Sequence, residues 1–369
     1  MHSRNSFVVF AALLFLSNVV GGQEANPMKA TPDPDGKTLW FDGKEFALEG
    51  KGWNDTELFY DRLPAKAKGK VPGNVWGLGR NSAGLCVRFT TDAGSIKVRW
   101  TLTDTGIKMG GSVLATPHQP ATGVSGIDVY SKNSEGQWQF INNGRPLDIE
   151  NTRGFDPIRG SETLLYLPLY NGVKSLKIGI PKDNKISSVT RLKDSKPIVF
   201  YGTSITQGGC ASRPGMAYTA IVGRRLDRPV INLGFSGCGR MEIEMAELIG
   251  ELDPVVFVLD CLWNMDGKMM QERMEPFVRK LRELRPLTPI LLMDKSSFLK
   301  SARPPKGNAS WFNQLTAAGL TNIHYLSSEN MLGDDSEGTV DGVHPNDLGM
   351  MRMAEAVIPS LRPIIQGQK

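Results

Sequence analysis

Cysteine and histidine are scarce in this chain of 369 residues, which has four of each. No two cysteines are spaced C-x-x-C, so a zinc ribbon or a thioredoxin-type redox site has no ligand set. No phosphate-binding glycine loop or dinucleotide fingerprint is present, and neither a cofactor nor a metal is expected. Basic residues nowhere form a block. The net charge of +5 is dispersed among acidic residues, which argues against a nucleic-acid partner. The apolar run near the start, Phe7 to Val20, has 14 residues and is too short for a comfortable membrane span.

The rest of the composition is that of a globular protein, with 40% hydrophobic and 22% charged residues. The length suggests two domains. Residues 1–22 have the layout of a cleavable signal: Arg4, the apolar run, then Gly21 and Gly22. The expectation is a secreted or periplasmic protein without stable membrane insertion, an uncleaved anchor being the alternative. Residues 23–36, with Pro27, Pro32 and Pro34, read as a polar tether. Nothing in the pattern specifies an oligomeric state.

Residues 37–192 read as a β-sandwich domain. Ile96, Val98, Trp100 and Leu102 alternate with Lys97, Arg99 and Thr101, the mark of a half-buried strand. Similar short runs lie at 85–90, 126–130, 138–141, 163–167 and 173–180, with no amphipathic helix between them. The period changes near Pro197. Residues 193–369 alternate short apolar runs (198–201, 230–233, 255–260, 290–294, 323–326) with helical faces such as Met270, Met274, Phe277, Val278, Leu281 and Leu284. This predicts a three-layer α/β domain with a parallel sheet, whose site lies at the carboxyl ends of the strands.

Three segments fall on that edge. The first is Tyr201-Gly202-Thr203-Ser204, where a serine can stand exposed on a tight turn. The second comprises Asn232 to Gly237 together with Trp263-Asn264. The third is Asp341-Gly342-Val343-His344. His2 lies in the signal, His118 in a Pro-flanked loop and His324 inside a strand, so His344 is the candidate base. Asp341 is near enough in sequence to orient its ring. A serine hydroxyl needs such a base, and the base needs an orienting partner. Asp341-x-x-His344 alone also fits a helix-capping cluster.

These residues resemble the SGNH hydrolase superfamily, which includes the GDSL esterases. The resemblance covers about residues 196–362. It implies that Ser204 is the nucleophile and that Asp341 and His344 complete the catalytic group. It also implies an oxyanion hole from Ser204, Gly237 and Asn264. The blocks depart from the family pattern: Gly202-Thr203-Ser204-Ile205 replaces Gly-Asp-Ser-Leu, and Leu262-Trp263-Asn264-Met265 replaces Gly-x-Asn-Asp. Gly126-Ile127-Asp128-Val129-Tyr130 is similar to the Gly-x-Asp-Leu-Tyr signature of a domain preceding certain bacterial SGNH esterases. That domain would be a jelly-roll-like sandwich.

The expected activity is hydrolysis of short acyl esters, acetyl above all, with an acylated carbohydrate or small ester as substrate. The alternatives are a lipase or thioesterase acting on longer chains, and a non-catalytic carbohydrate-binding surface protein. Arg213 and Trp263 are candidate substrate contacts. The polar loop Thr206, Gln207, Gly208, Gly209, Ser212 and Arg213 is expected to face a hydroxyl-rich leaving group. Of Cys86, Cys210, Cys238 and Cys261, the pair Cys210–Cys238 is the favoured disulfide; four buried free thiols are the alternative.

Overall fold

A computed structural model describes residues 28–103, 114–191, 195–296, 309–329 and 331–368. The signal read over residues 1–22 lies outside them. Among the described residues no helix is long and apolar enough to cross a membrane.

The N-terminal half builds two antiparallel sheets. One runs in the order Ala30–Pro32, Thr38–Asp42, Val173–Pro181, Ile96–Leu102, Glu150–Phe155. The other runs Ile186–Ser188, Cys86–Thr91, Glu162–Tyr166, Ile127–Lys132, Trp138–Gly144, and Ala47–Glu49 pairs with Cys86–Thr91. Val98, Trp100 and Ile178 of the first sheet meet Val87, Phe89, Val129 and Leu165 of the second in one core. The strand read from alternation, Ile96–Leu102, buries every second residue.

Two features differ from the sequence reading. Part of the expected tether is a strand: Ala30–Pro32 pairs with Thr38–Asp42 at the sheet edge. All three of its residues are exposed, so it has no apolar pattern to read, and an edge position tolerates Pro32. The expected domain boundary is also crossed. Trp53, Leu63, Ala67, Val71, Val75 and Leu78 join the core of the C-terminal domain, although they precede most of the sandwich in sequence. This segment is a 3-10 turn, Ala65–Ala67, and a short helix, Gly73–Gly79, embedded in a stretch that reads as β.

Arg62 fastens that segment. It is 1% exposed. Its guanidinium donates to the carbonyls of Leu78 (2.7 Å), Asn81 (2.9 Å), Gly234 (2.8 Å) and Asn232 (3.1 Å). The guanidinium carbon also sits 4.8 Å from the centre of the Phe235 ring. Burial lowers its pKa to about 9, which still leaves a cation at neutral pH.

The C-terminal half holds a parallel sheet in the order Val230–Gly234, Ile198–Gly202, Val256–Asp260, Ile290–Met293, Ile323–Leu326. The helices Tyr218–Arg225 and Asp347–Gln366 cover one face. The helices Ile243–Ile249 and Gly267–Leu284 cover the other. The chain leaves Ile198–Gly202 toward one neighbour and later returns on its other side, so strand order reverses there. Such a reversal opens a crevice at the strand's carboxyl end.

The three central strands of the second sheet, Cys86–Thr91, Glu162–Tyr166 and Ile127–Lys132, are buried on both faces. Cys86, Tyr130, Leu164 and Tyr166 point away from the sandwich core and pack with Ile198, Phe200, Tyr218 and Ile221 of the α/β domain. A buried ion pair crosses this junction. Asp128, 0% exposed, accepts from Arg213 Nη1 (3.0 Å), the Gly215 amide (2.8 Å) and Asn143 Nδ2 (2.7 Å). Burial pushes the Asp128 carboxyl up against the pull of Arg213 and these donors. Removing one partner of such a pair strands the other and costs about 3–5 kcal/mol. Asp128→Ala is therefore expected to lower Tm by several degrees in a thermal melt followed by circular dichroism. An unchanged Tm would show that the junction does not depend on the pair.

Candidate active site

Ser204 follows the strand Ile198–Gly202 and opens the short helix Ser204–Gln207. Thr203 caps that helix, its hydroxyl accepting from the Ile205 amide at 3.3 Å. Gly208 ends it at φ 108°, a left-handed conformation that glycine adopts without steric cost. Beneath the turn lies Asp260, fully enclosed, accepting from Thr206 Oγ1 (2.8 Å) and the Tyr218 hydroxyl (2.9 Å). Burial pushes the Asp260 carboxyl up, partly offset by these two donors.

One hydrogen-bond chain joins the two ends of the domain. Ser204 Oγ lies 2.9 Å from His344 Nε2. His344 Nδ1 lies 2.7 Å from Asp341 Oδ2. The other carboxylate oxygen accepts from the amides of His344 (2.7 Å) and Val343 (3.0 Å). Partial burial raises the Asp341 carboxyl, but these amides and the His344 ring outweigh it and hold it below the usual aspartate value. With Nδ1 turned to a carboxylate, Nε2 is free to accept the serine proton. This is the arrangement of an activated nucleophile. The three residues sit where the sequence places them, at the carboxyl edge of the parallel sheet.

Gly237 and Asn264 come together on the adjoining loops. Gly237 has φ 67° and open space beside its Cα. Asn264 ends the 3-10 turn Leu262–Asn264, and its Nδ2 donates to the Cys238 carbonyl at 2.6 Å. Gln207 Oε1 accepts from the Ser236 amide at 3.0 Å, tying the serine turn to the Gly237 loop. Trp263 is half-buried; its Nε1 donates to Ser296 Oγ (3.0 Å), and Lys295 Nζ sits 4.3 Å from its ring centre.

Arg213 is placed otherwise than a substrate contact requires. Its guanidinium is taken up by Asp128 and the Tyr130 hydroxyl, and it stacks 3.6 Å from the centre of the Phe140 ring. The rest of the polar loop is likewise turned inward. Gln207 Nε2 donates to Asn81 Oδ1 and the Leu169 carbonyl, and Ser212 donates to Asp347 from its amide at 2.8 Å. The loop is polar because it is a brace rather than a wall for substrate. All four cysteines are buried free thiols, so the favoured Cys210–Cys238 pairing is not formed.

Sequence reasoning missed the contribution of the sandwich domain. Tyr170 donates its hydroxyl to the Ser204 carbonyl at 3.2 Å. Gln119 Nε2 donates to the carbonyls of Gly208 and Ala211, both at 3.1 Å, and Thr122 Oγ1 to that of Ser212 at 2.6 Å. Sequence spacing showed no metal ligand set either. Folding nonetheless brings ligand atoms of His118, Cys210 and His344 within 4.8 Å of one another. They come from three distant segments, so no local motif announces them.

Comparison with known proteins matches these features. Residues 195–362 match the model of the GDSL-like lipase/acylhydrolase family, and residues 38–186 match that of the N-terminus of SGNH-hydrolase-type esterases. A protein crystallised as a GDSL-like lipase from Bacteroides ovatus ATCC 8483 is 33% identical, with a TM-score of 0.79 over 89% of this chain and 98% of that one. A salicylyl-acyltransferase from a tetracycline biosynthetic pathway shares the fold at 18% identity, TM-score 0.68, over 91% of this chain and 97% of that one. A family two carbohydrate esterase from Clostridium thermocellum, solved with cellohexaose, shares it at 13% identity, TM-score 0.54, over 78% and 94%. No curated protein matches the chain. The sandwich, the parallel sheet and both family matches lead to one conclusion: this chain belongs to the GDSL-like lipase/acylhydrolase family of SGNH carboxylic ester hydrolases and carries that group's N-terminal β-domain.

Proposed function

We propose that this esterase removes short acyl groups, acetyl above all, from carbohydrate through an acyl-enzyme on Ser204, and that it works outside the cytoplasm. The observation that carries the reading is the Ser204–His344–Asp341 hydrogen-bond chain, with steps of 2.9 and 2.7 Å. Ser204 Oγ attacks the ester carbonyl as its proton passes to His344 Nε2. Asp341 holds the ring with Nδ1–H bonded and stabilises the imidazolium. The oxyanion accepts from the amides of Ser204 and Gly237 and from the second N–H of Asn264 Nδ2. Preorganised donors of this kind stabilise charge that exists only in the transition state. Collapse expels the sugar alkoxide, which takes the proton from His344. Water then enters, gives a proton to the same nitrogen, and releases acetate and free Ser204.

Two considerations support a short acyl group on a sugar. The contacts of Ser204 are small or polar: His344 at its hydroxyl, Gly209 and the Tyr170 hydroxyl at its main-chain carbonyl. Each added methylene of a long chain would find little apolar area there to reward it. The carbohydrate esterase solved with cellohexaose has the same fold, which favours a carbohydrate substrate by analogy. The export expected from residues 1–22 would bring the enzyme to extracellular polysaccharides.

Ser204→Ala should fold as the parent does and lose at least about ten-thousand-fold in kcat on a chromogenic acetate ester. Near-parental turnover would remove the serine mechanism altogether.

An imidazole base must be neutral to accept a proton, so kcat/KM should fall as pH is lowered through the range in which imidazoles protonate. Asp341 is held below its usual value and stays ionised over that interval. The acid limb of log kcat/KM against pH should therefore have a slope of about one. A slope near two would mean that a second group titrates with the base.

Specificity constants for acetate, butyrate, octanoate and palmitate esters of one alcohol should be greatest at acetate, and acetylated xylan or another acetylated glycan should release acetate. A maximum at octanoate or beyond, without release from any glycan, would establish the lipase reading instead.

A further inference from the structure

The loop that follows the nucleophile does more than brace it. Gly209 lies against the catalytic histidine: a Cβ there would meet His344 Cδ2 at 3.2 Å and the Ser204 carbonyl oxygen at 2.9 Å. Only a residue without a side chain lets the backbone pass this close, and the next residue is Cys210. Cys210 is held at φ 69°, left-handed for a residue that has a Cβ. From the other side Gln119 grips the same loop by the carbonyls of Gly208 and Ala211, which brings its neighbour His118 over the site. The rings of His118 and His344 have centroids 5.3 Å apart. A ring nitrogen of His118, the Cys210 sulfur and a ring nitrogen of His344 lie mutually within 4.8 Å.

We propose that His118, Cys210 and His344 form an inhibitory zinc site that closes the catalytic centre by taking the lone pair of its base. Two imidazoles and a thiolate suit zinc, a borderline-soft ion, better than calcium or magnesium, which take oxygen ligands. Tetrahedral zinc at ordinary Zn–N and Zn–S lengths sets its ligand atoms about 3.3–3.6 Å apart. The three groups therefore need to close by little more than about an ångström, within reach of side-chain rotation.

The tautomer fits as well. His344 Nδ1 is already bonded to Asp341 Oδ2 at 2.7 Å, which leaves Nε2 for the metal and completes a carboxylate–histidine–zinc relay. Binding zinc breaks the hydrogen bond from Ser204 Oγ to Nε2 and forms Zn–N bonds to His118 and His344 and a Zn–S bond to Cys210. The thiol proton is released to solvent, and a water can fill the fourth position. Both histidines are partly exposed, which gives the ion a way in.

The inhibitory consequence rests on His344 being the catalytic base, as proposed above; the metal site itself does not. The test therefore reads binding and activity separately. Isothermal titration with zinc chloride should give one site per chain in the parent protein and in Ser204→Ala, which has no esterase activity to lose. Cys210→Gly keeps the left-handed backbone and His118→Gln keeps a polar side chain. Each should weaken zinc binding by at least about tenfold. Cobalt should give a thiolate-to-metal charge-transfer band in the parent and none in Cys210→Gly. Zinc should inhibit acetate-ester turnover reversibly, with full recovery in EDTA and with the inhibition constant raised in both ligand variants. Absence of one-to-one binding, or equal zinc affinity in the parent and both variants, would overturn the site. Binding as expected without inhibition would leave the site standing and overturn its inhibitory role and the assignment of His344 as the base.

Discussion

A buried guanidinium whose hydrogen bonds among the described residues all go to main-chain carbonyls holds the two halves of the molecule in register. Arg62 comes from a segment that precedes most of the sandwich, yet its guanidinium spans carbonyls of that segment, Leu78 and Asn81, and of the parallel strand ending at Gly234. Partial charges on four carbonyls take the place of hydration, and the face of Phe235 closes the remaining side. The strand so fixed leads directly into the Gly237 loop. The carboxyl end of the sheet is therefore positioned from outside the α/β domain.

The same dependence recurs around Ser204. Tyr170 supports the Ser204 carbonyl, Gln119 the end of its helix, Thr122 and Asp128 the loop beyond. Each uses a side chain of the sandwich domain to satisfy a main-chain or charged group of the catalytic domain. Buried backbone groups need partners, and here a neighbouring domain supplies them. The tight Ser204 turn is thereby set before substrate arrives.

Much of this could be read from the sequence. The parallel strands announce themselves as short apolar runs, and Ile96–Leu102 by strict alternation, because burial on two faces or one leaves those two patterns. Ser204, Asp341 and His344 were legible because each sits directly after a strand or before a helix at the predicted edge. The remainder was not legible, for physical reasons. Ala30–Pro32 is exposed throughout and carries no pattern. The segment from Trp53 to Leu78 packs on a partner that lies far ahead in sequence, so its periodicity is short and broken. The polar loop after Ser204 has the composition of a solvated wall, but its groups are satisfied internally. Composition cannot tell a hydrogen bond to protein from one to water or ligand.

The sequence separations in this site have a bearing on when it exists. The serine and its histidine are 140 positions apart, and Gln119 grips a loop 89 positions further on. Contacts of such span close late, because the loop entropy is lost before the contact can reward it. A chain emerging from the ribosome has Ser204 long before it has His344. Until the segment carrying His344 docks, the Ser204 hydroxyl lacks its imidazole partner. Under the proposed mechanism, ester cleavage is thus withheld from any form in which these two segments have not met, and the Ser204–His344 contact doubles as a report that they have.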